Sequence, residues 1–262
     1  MAHHPEHLQG TDTKTVTIIP ARLGSTRFPR KMLADKTGLP LIVHVWKNAC
    51  KARIPDRVVV ATDAQEIVSC IEAAGGQAVM TDSTHPNGTS RLAQATHLLG
   101  LADETVVVNV QGDEPEIDPE MIDLAVQTLR ATGTAAATIA SPFGPDQDPA
   151  DPNIVKVVLD AQGRALYFSR SEIPCNRENE PGLVRPLKHV GLYAYSVGFV
   201  RRYVTLPATP LELTEKLEQL RILEHGYAIA AAVAQADHVG IDTQSQYEAF
   251  VERYQKSTPA ES

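Results

Sequence analysis

TVTIIPARLGSTRFPRKML (15–33) is the stretch on which the fold turns. Its first six residues form a short β-branched apolar run that ends at Pro20, the pattern of a buried strand. The character then changes at once. Arg22, Arg27, Arg30 and Lys31 fall within ten positions, with Gly24, Ser25 and Thr26 among them. Small residues let backbone amides approach anionic oxygens, and arginine and lysine add charge and directional donors. A basic cluster is usually a solvated surface loop. Its place directly after a buried strand gives this one a phosphate-binding reading. It fits neither GxxxxGK[ST] nor GxGxxG, so it is neither a Walker A loop nor a dinucleotide fingerprint.

Outward from this stretch, strand and helix alternate. Helical spacing marks 41–52, 64–76, 88–100 and 118–133; strands are expected at 57–63, 77–82, 105–111 and 134–142. The 88–100 helix is expected to open on a capping Thr89 or Ser90, and 118–133 opens on Asp-Pro and stops at Gly133. Continuous apolar strands alternating with helices predict a three-layer α/β fold, Rossmann-like, with a mostly parallel sheet. The polar loops after 20, 63, 82 and 111 then gather at the carboxyl edge, where such sheets place ligands. Past SPFGPDQDPADPN (141–153) the rhythm breaks. Two strands joined by a DAQG turn are expected over 154–170, a strand and short helix over 189–204, and one helix over 213–226 capped by Gly226. A strand over 228–235 and a last helix over 243–256 complete the chain. Residues 15–256 read as a single α/β domain in which 142–205 is an inserted sugar-binding or dimerisation lobe. Residues 1–14 are expected as a mobile tail and 257–262 as a frayed one.

The formal net charge of −8 argues against a nucleic-acid binder that works by phosphate neutralisation, though not against an enzyme with a local cationic cluster. Three widely spaced cysteines form no CxxC pair, so neither a zinc site nor a disulfide framework is expected. Cys50 and Cys70 lie in helical patterns and read as small core residues. No apolar run reaches the ~18–20 residues of a membrane span, and MAHHPEHLQGTDTK lacks the order of a signal peptide. A cytoplasmic location without membrane or nucleic-acid partners is the expectation.

Further along, VVVNVQGDEPEI puts Asp113 at the ligand edge, where a carboxylate can hold Mg²⁺, although G-D and E-P also favour a plain turn. HPNGTSRLAQA (85–95) offers Gly88 for a turn and Arg91 on a helix start. In NIVKVVLDAQGRALYFSRSEIP, Arg170 has the chemistry to hold a carboxylate bidentately. KHVGLYAY (188–195) carries His189 and Tyr193, which residue type alone leaves evenly balanced between core and site. PLELTEKLEQLRILEHG places Glu215, Glu218 and Gln219 on overlapping helix faces. Asp242, ahead of the last helix, reads by itself as an N-cap.

Together these strings resemble the 3-deoxy-manno-octulosonate cytidylyltransferase family (CMP-KDO synthetases), from about Thr15 to Gln255. The resemblance lies in IPAR…ST-R-P-K, QGDEP, GT-x-R, NxVKVVxDxxGxALYFSRxxIP, HxGxYxY, PLExxExLEQLRxLExG and a VDTPxDL-like end. It implies a sugar-nucleotide transferase that moves CMP from CTP to the anomeric hydroxyl of KDO, releasing pyrophosphate, for lipopolysaccharide synthesis. It implies Ala21, Arg22, Arg27, Lys31, Gly88, Arg91 and Gln111 as nucleotide contacts, with Arg22, Lys31 and Asp113 catalytic. Gln111, Arg170, His189, Tyr193, Glu218 and Gln219 would hold the sugar. Asp113 and Asp242 would ligate Mg²⁺, and the chain would form a homodimer. Ser90 stands where members carry an acid, Cys175 where many carry tryptophan, Gln244 for proline and Arg30 for glycine, which makes Arg30 a solvent-facing cation. Three alternatives stay in view: another acidic sugar, such as the 8-amino analogue of KDO; a nucleotide-binding module without catalysis, which the presence of both Lys31 and Asp113 opposes; and a dehydrogenase, which lacks its glycine fingerprint.

Overall fold

The computed structural model describes residues 14–25, 27–178, 185–237 and 240–257. Apart from Lys14 and Ser257, the tails expected at 1–14 and 257–262 lie outside the described residues. Strand β1 (Thr15–Ala21) runs through the middle of the sheet and alternates between its faces. Val16 and Ile18 join one apolar cluster, and Ile19 and Ala21 join the other. This is the period-2 consequence of a strand covered on both sides.

The elements then follow as α1 (Leu41–Ala49), β2 (Arg57–Thr62), α2 (Gln65–Ala73), β3 (Gln77–Met80), α3 (Gly88–Leu98), β4 (Val106–Asn109), α4 (Pro119–Thr132) and β5 (Ala136–Pro142). The second half gives β6 (Lys156–Leu159), β7 (Ala165–Ser169), β8 (Leu187–Ser196), α5 (Val197–Tyr203), α6 (Pro210–Glu215), α7 (Gln219–Glu224), β9 (Ile229–Val233) and α8 (Gln244–Ser257). The main sheet has the order β3-β2-β1-β4-β8-β5-β9. Its strands all run one way except β8, which is antiparallel to both neighbours. Helices α1, α2 and α4 cover one face and α3, α5 and α7 the other. Helix α8 packs by Tyr247, Phe250 and Val251 onto Phe28, Leu41 and Ile241, a third small core beside the cationic loop.

The stretch expected as a lobe over 142–205 divides. Its β6–β7 hairpin stands off the main path and joins it through β8. Strand β8 itself lies inside the sheet, between β4 and β5. Lys156 anchors this hairpin. Its fully buried ammonium donates to the carbonyls of Asp151 (2.8 Å), Ile154 (2.6 Å) and Arg170 (2.5 Å).

Three local expectations are corrected. Helix α3 is capped by Asn87, whose Oδ1 accepts from Ser90 N at 2.9 Å, and not by Thr89 or Ser90. Asparagine is among the best N-caps, and Thr89 lies inside the first turn. The single helix expected over 213–226 is two, because Lys216 adopts φ 55, ψ 46 and closes α6. That left-handed residue ends one hydrogen-bond ladder, so Glu215 and Glu218 do not share a helix face. Cys50 is exposed at the end of α1, and Cys70 is only partly buried against the core.

Candidate active site

Strands β1 and β2 end level, Ala21 beside Thr62, β4 ends at Asn109 beside Ile18, and the loops that follow them meet above the sheet. Arg30, at φ 55, turns the cationic loop through a left-handed residue into a 3₁₀ turn, Lys31–Leu33. Glycine pays no steric penalty at such an angle, which is the physical reason that position favours glycine. The reversal sends Arg30 outward, where its guanidinium pairs with Glu66 at 2.8 Å, and sends Lys31 inward, 7% exposed.

Lys31 is the hub of the site. Its Nζ donates to Asp113 Oδ2 (2.7 Å), the Ile241 carbonyl (2.8 Å) and Asp242 Oδ1 (3.2 Å). Arg27 pairs with the other Asp242 oxygen at 3.0 Å. The amide of Ile241 donates to the Asp113 carbonyl at 2.8 Å, so backbone as well as side chains join the two acidic segments. Burial raises the Asp113 carboxyl above the usual carboxylate range, and the Lys31 ammonium opposes that shift. Gly112 makes the close approach possible: a Cβ there would lie 2.9 Å from the Pro20 carbonyl oxygen.

Two cavities open on this hub. The first, of ≈ 330 Å³, is lined by every residue expected to touch the nucleotide: Ala21, Arg22, Arg27, Lys31, Gly88, Arg91 and Gln111. Arg22 is exposed and, among the described residues, makes no hydrogen bond or ion pair, which leaves its charge available. Arg91 is committed: its guanidinium donates to Asp63 Oδ2 (2.7 Å) and Thr81 Oγ1 (2.5 Å), so it shapes the wall as much as it faces the cavity. The second cavity, of ≈ 450 Å³, is lined by every residue expected to touch the sugar: Gln111, Arg170, His189, Tyr193, Glu218 and Gln219. The cavities share Gly88, Gln111, Asp113, Glu218 and Asp242. Burial raises the Glu218 carboxyl, and a hydrogen bond from Thr89 Oγ1 at 2.9 Å opposes it. Arg170 is less free than expected. Its Nε and one Nη donate to the carbonyls of Glu215 (2.8 Å) and Pro152 (2.9 Å), which commits two of its three nitrogens.

His189 packs edge-on against Phe168, 5.1 Å between centroids, and its Nε2 lies 3.0 Å from Thr138 Oγ1. Burial pushes its imidazole down to about 3, so the ring is a neutral hydrogen-bonding group at physiological pH. In the unfolded chain a histidine titrates near ~6.5. Between those limits the unfolded state takes up a proton that the folded state refuses, and stability falls as pH falls. The ring borders an open cavity, so the loss stays below the full ~1.4 kcal/mol per pH unit. A melting series from pH 7 down to about 4.5 should show a steeper decline for wild type than for His189→Gln. Equal slopes would mean that the fold does not hold the ring neutral.

Some cavity residues escaped the sequence reading. His85 lines the first cavity, its ring held by Gln94 Oε1 (2.6 Å) and Ser90 Oγ (3.2 Å). Ser90 therefore faces His85 and Asn87 and does not line either cavity. Lys216 and Asn109 line the second cavity. Lys216 occupies a variable position of its motif, and Asn109 is hidden in a run of valines, so neither carried a signal.

An open, mostly parallel sheet with a cationic loop and paired carboxylates at the carboxyl ends of its strands defines a nucleotidyltransferase. The model of the cytidylyltransferase family matches residues 16–229. The chain is 48% identical over 246 residues to the 3-deoxy-manno-octulosonate cytidylyltransferase of Acidovorax sp. (strain JS42), covering 88% of this chain and 94% of that one. It is 47% identical to the enzyme of the same name from Yersinia enterocolitica, over 87% and 94% of the two chains. A solved structure of CMP:2-keto-3-deoxy-manno-octonic acid synthetase complexed with CTP superposes with a TM-score of 0.88 at 38% identity, covering 94% of this chain and 100% of that one. A cytidylyltransferase from Leptospira borgpetersenii shares the fold, with a TM-score of 0.58 at 15% identity over 91% and 85% of the chains. The chain belongs to the cytidylyltransferase family, and within it to the 3-deoxy-manno-octulosonate cytidylyltransferases.

Proposed function

We infer that this protein transfers CMP from CTP to the anomeric hydroxyl of KDO, giving CMP-KDO and pyrophosphate for lipopolysaccharide synthesis. The observation that carries the reading is the pair of adjoining cavities with a shared carboxylate-bearing wall. The first, rimmed by Arg22, Arg27 and Lys31, suits a triphosphate. The second, lined by neutral His189, Tyr193, Glu218 and Gln219, suits a polyol. Across their common wall an acceptor hydroxyl in one would lie beside the α-phosphate in the other. A hydroxyl oxygen attacks phosphorus, the bond to pyrophosphate breaks in line, and the hydroxyl proton passes to solvent. Arg22 and Lys31 offset the charge that grows on the phosphate oxygens. Lys216, at the mouth of the second cavity, supplies a cation for the sugar acid where Arg170 is committed.

Asp113 and Asp242 would hold Mg²⁺. They fit it: two carboxylates already converge on one positive charge, the Lys31 ammonium. Mg²⁺ is commonly held by one or two carboxylates plus waters and substrate phosphates. Bound there, the metal would neutralise phosphate charge and acidify a hydroxyl in contact with it. The same reading makes the protein a cytoplasmic homodimer; exposed Leu166 and Leu213 provide apolar surface for a second copy. Among the described residues no helix is long and apolar enough to cross a membrane.

The test is pyrophosphate release with CTP and MgCl₂ across a panel of acidic sugars. KDO should give the highest kcat/KM, above its 8-amino analogue and other nonulosonic acids. CTP binding with no release on any sugar would overturn the reading.

A further inference from the structure

The floor of the second cavity holds two buried polar side chains with unpartnered atoms, Asn109 Oδ1 and Tyr193 Oη. The residues are 3% and 7% exposed. They are cross-strand neighbours: Asn109 ends β4 and stands in register with Tyr193 of β8. Such partners place their side chains on one face of the sheet, about 4.5–5.5 Å apart at Cβ. The two side chains therefore stand side by side on the face that lines the second cavity.

Folding gives no reason for either. Asn109 interrupts Val106, Val107, Val108 and Val110, all buried. Asparagine is among the poorer strand formers, and the strand is buried on both faces. Nearly all buried polar groups in proteins find a partner, because one left unpaired costs stability. A valine or leucine at 109 would suit the strand better. Tyr193 likewise stacks on Tyr195, with centroids 5.6 Å apart, and for that contact a phenylalanine would serve. Their polar atoms belong to whatever fills the cavity.

We propose that Asn109 is a specificity-determining residue for the acceptor sugar, and that with Tyr193 Oη it holds one sugar hydroxyl. The amide oxygen accepts from that hydroxyl while the phenol donates to its oxygen. A hydroxyl satisfies both atoms at once, which neither a hydrogen nor a methyl group at that position can do. This inference rests on the reading of the second cavity as the sugar site.

The experiment compares Asn109→Leu, Asn109→Ala and Tyr193→Phe with wild type, measuring KM for KDO, KM for CTP and the melting temperature of the ligand-free protein. Asn109→Leu should raise KM for KDO roughly tenfold, with KM for CTP within about twofold. Its melting temperature should hold or rise by ~2–4 °C, because an unpaired buried polar group has been removed. Tyr193→Phe should shift the same two quantities in the same directions. The double variant should be little worse than the worse single, since both atoms serve one hydroxyl. If Asn109→Leu does not fold, Asn109→Ala must still show the KM split. An unchanged KM for KDO in a folded Asn109 variant overturns the proposal. So does a lowered melting temperature with both KM values moved alike, which marks a structural role. Wild type that turns over CTP with no acidic sugar would instead overturn the reading of the cavity.

Discussion

Asp113→Asn is expected to lower turnover with CTP, KDO and Mg²⁺ by roughly 10³-fold, while the melting temperature stays within ~4 °C of wild type. The substitution keeps shape and one acceptor oxygen and removes one charge. Lys31 then retains the Ile241 carbonyl and the Asp242 carboxylate, so its ammonium is not left without a partner. Burial already opposes the Asp113 charge, which limits what the fold loses with it. The chemistry has no such reserve. Asp113 borders both cavities and is the carboxylate set deepest between them. CTP binding measured by titration should survive in the variant, since Arg22, Arg27 and Lys31 remain. Near-normal turnover with Mg²⁺ would show the metal assignment to be wrong.

The largest expected effect on stability is at Lys156. Lys156→Met should lower the melting temperature by about 7 °C. Methionine fills the space of the stem but leaves the carbonyls of Ile154 and Arg170 without their donor, at ~1–3 kcal/mol each, while that of Asp151 keeps the Ile154 amide at 3.2 Å. Removing a buried charge returns part of that cost. Burial holds this ammonium below the ordinary lysine range, against the pull of Asp151, Glu172 and Glu215. A net loss of roughly 2–3 kcal/mol remains, and a chain of this size loses about 2–4 °C per kcal/mol. The knot ties the loop at 151–154 to the end of β7 at Arg170, on the rim of the second cavity. KM for KDO should therefore rise more than KM for CTP. A melting temperature within two degrees of wild type would mean that the three bonds add nothing net.

The sequence was most legible where the signal is periodic. VTIIP, RVVVAT and VVVNV are strands because their apolar runs are short, β-branched and bounded by turns. It misled where one residue's backbone angle decided the outcome. Lys216 at φ 55 splits a stretch whose leucine spacing alone predicts one continuous helix. It was silent where a residue's meaning depends on what faces it across the sheet. Asn109 reads as a flaw in a valine strand until Tyr193 of β8 stands beside it.

By itself, then, the sequence determined the α/β alternation, the cationic character of the loop from Pro20 to Lys31 and, through its motifs, the family. These are local properties, fixed by residues within a few positions of one another. Only the tertiary structure decided that Lys31 meets Asp113, 82 positions away, and Asp242, 211 positions away. No spacing rule reaches that far. The order β1-β4 in the sheet and the backbone bond from Ile241 to Asp113 close those distances, and the left-handed turn at Arg30 sends the lysine inward to join them.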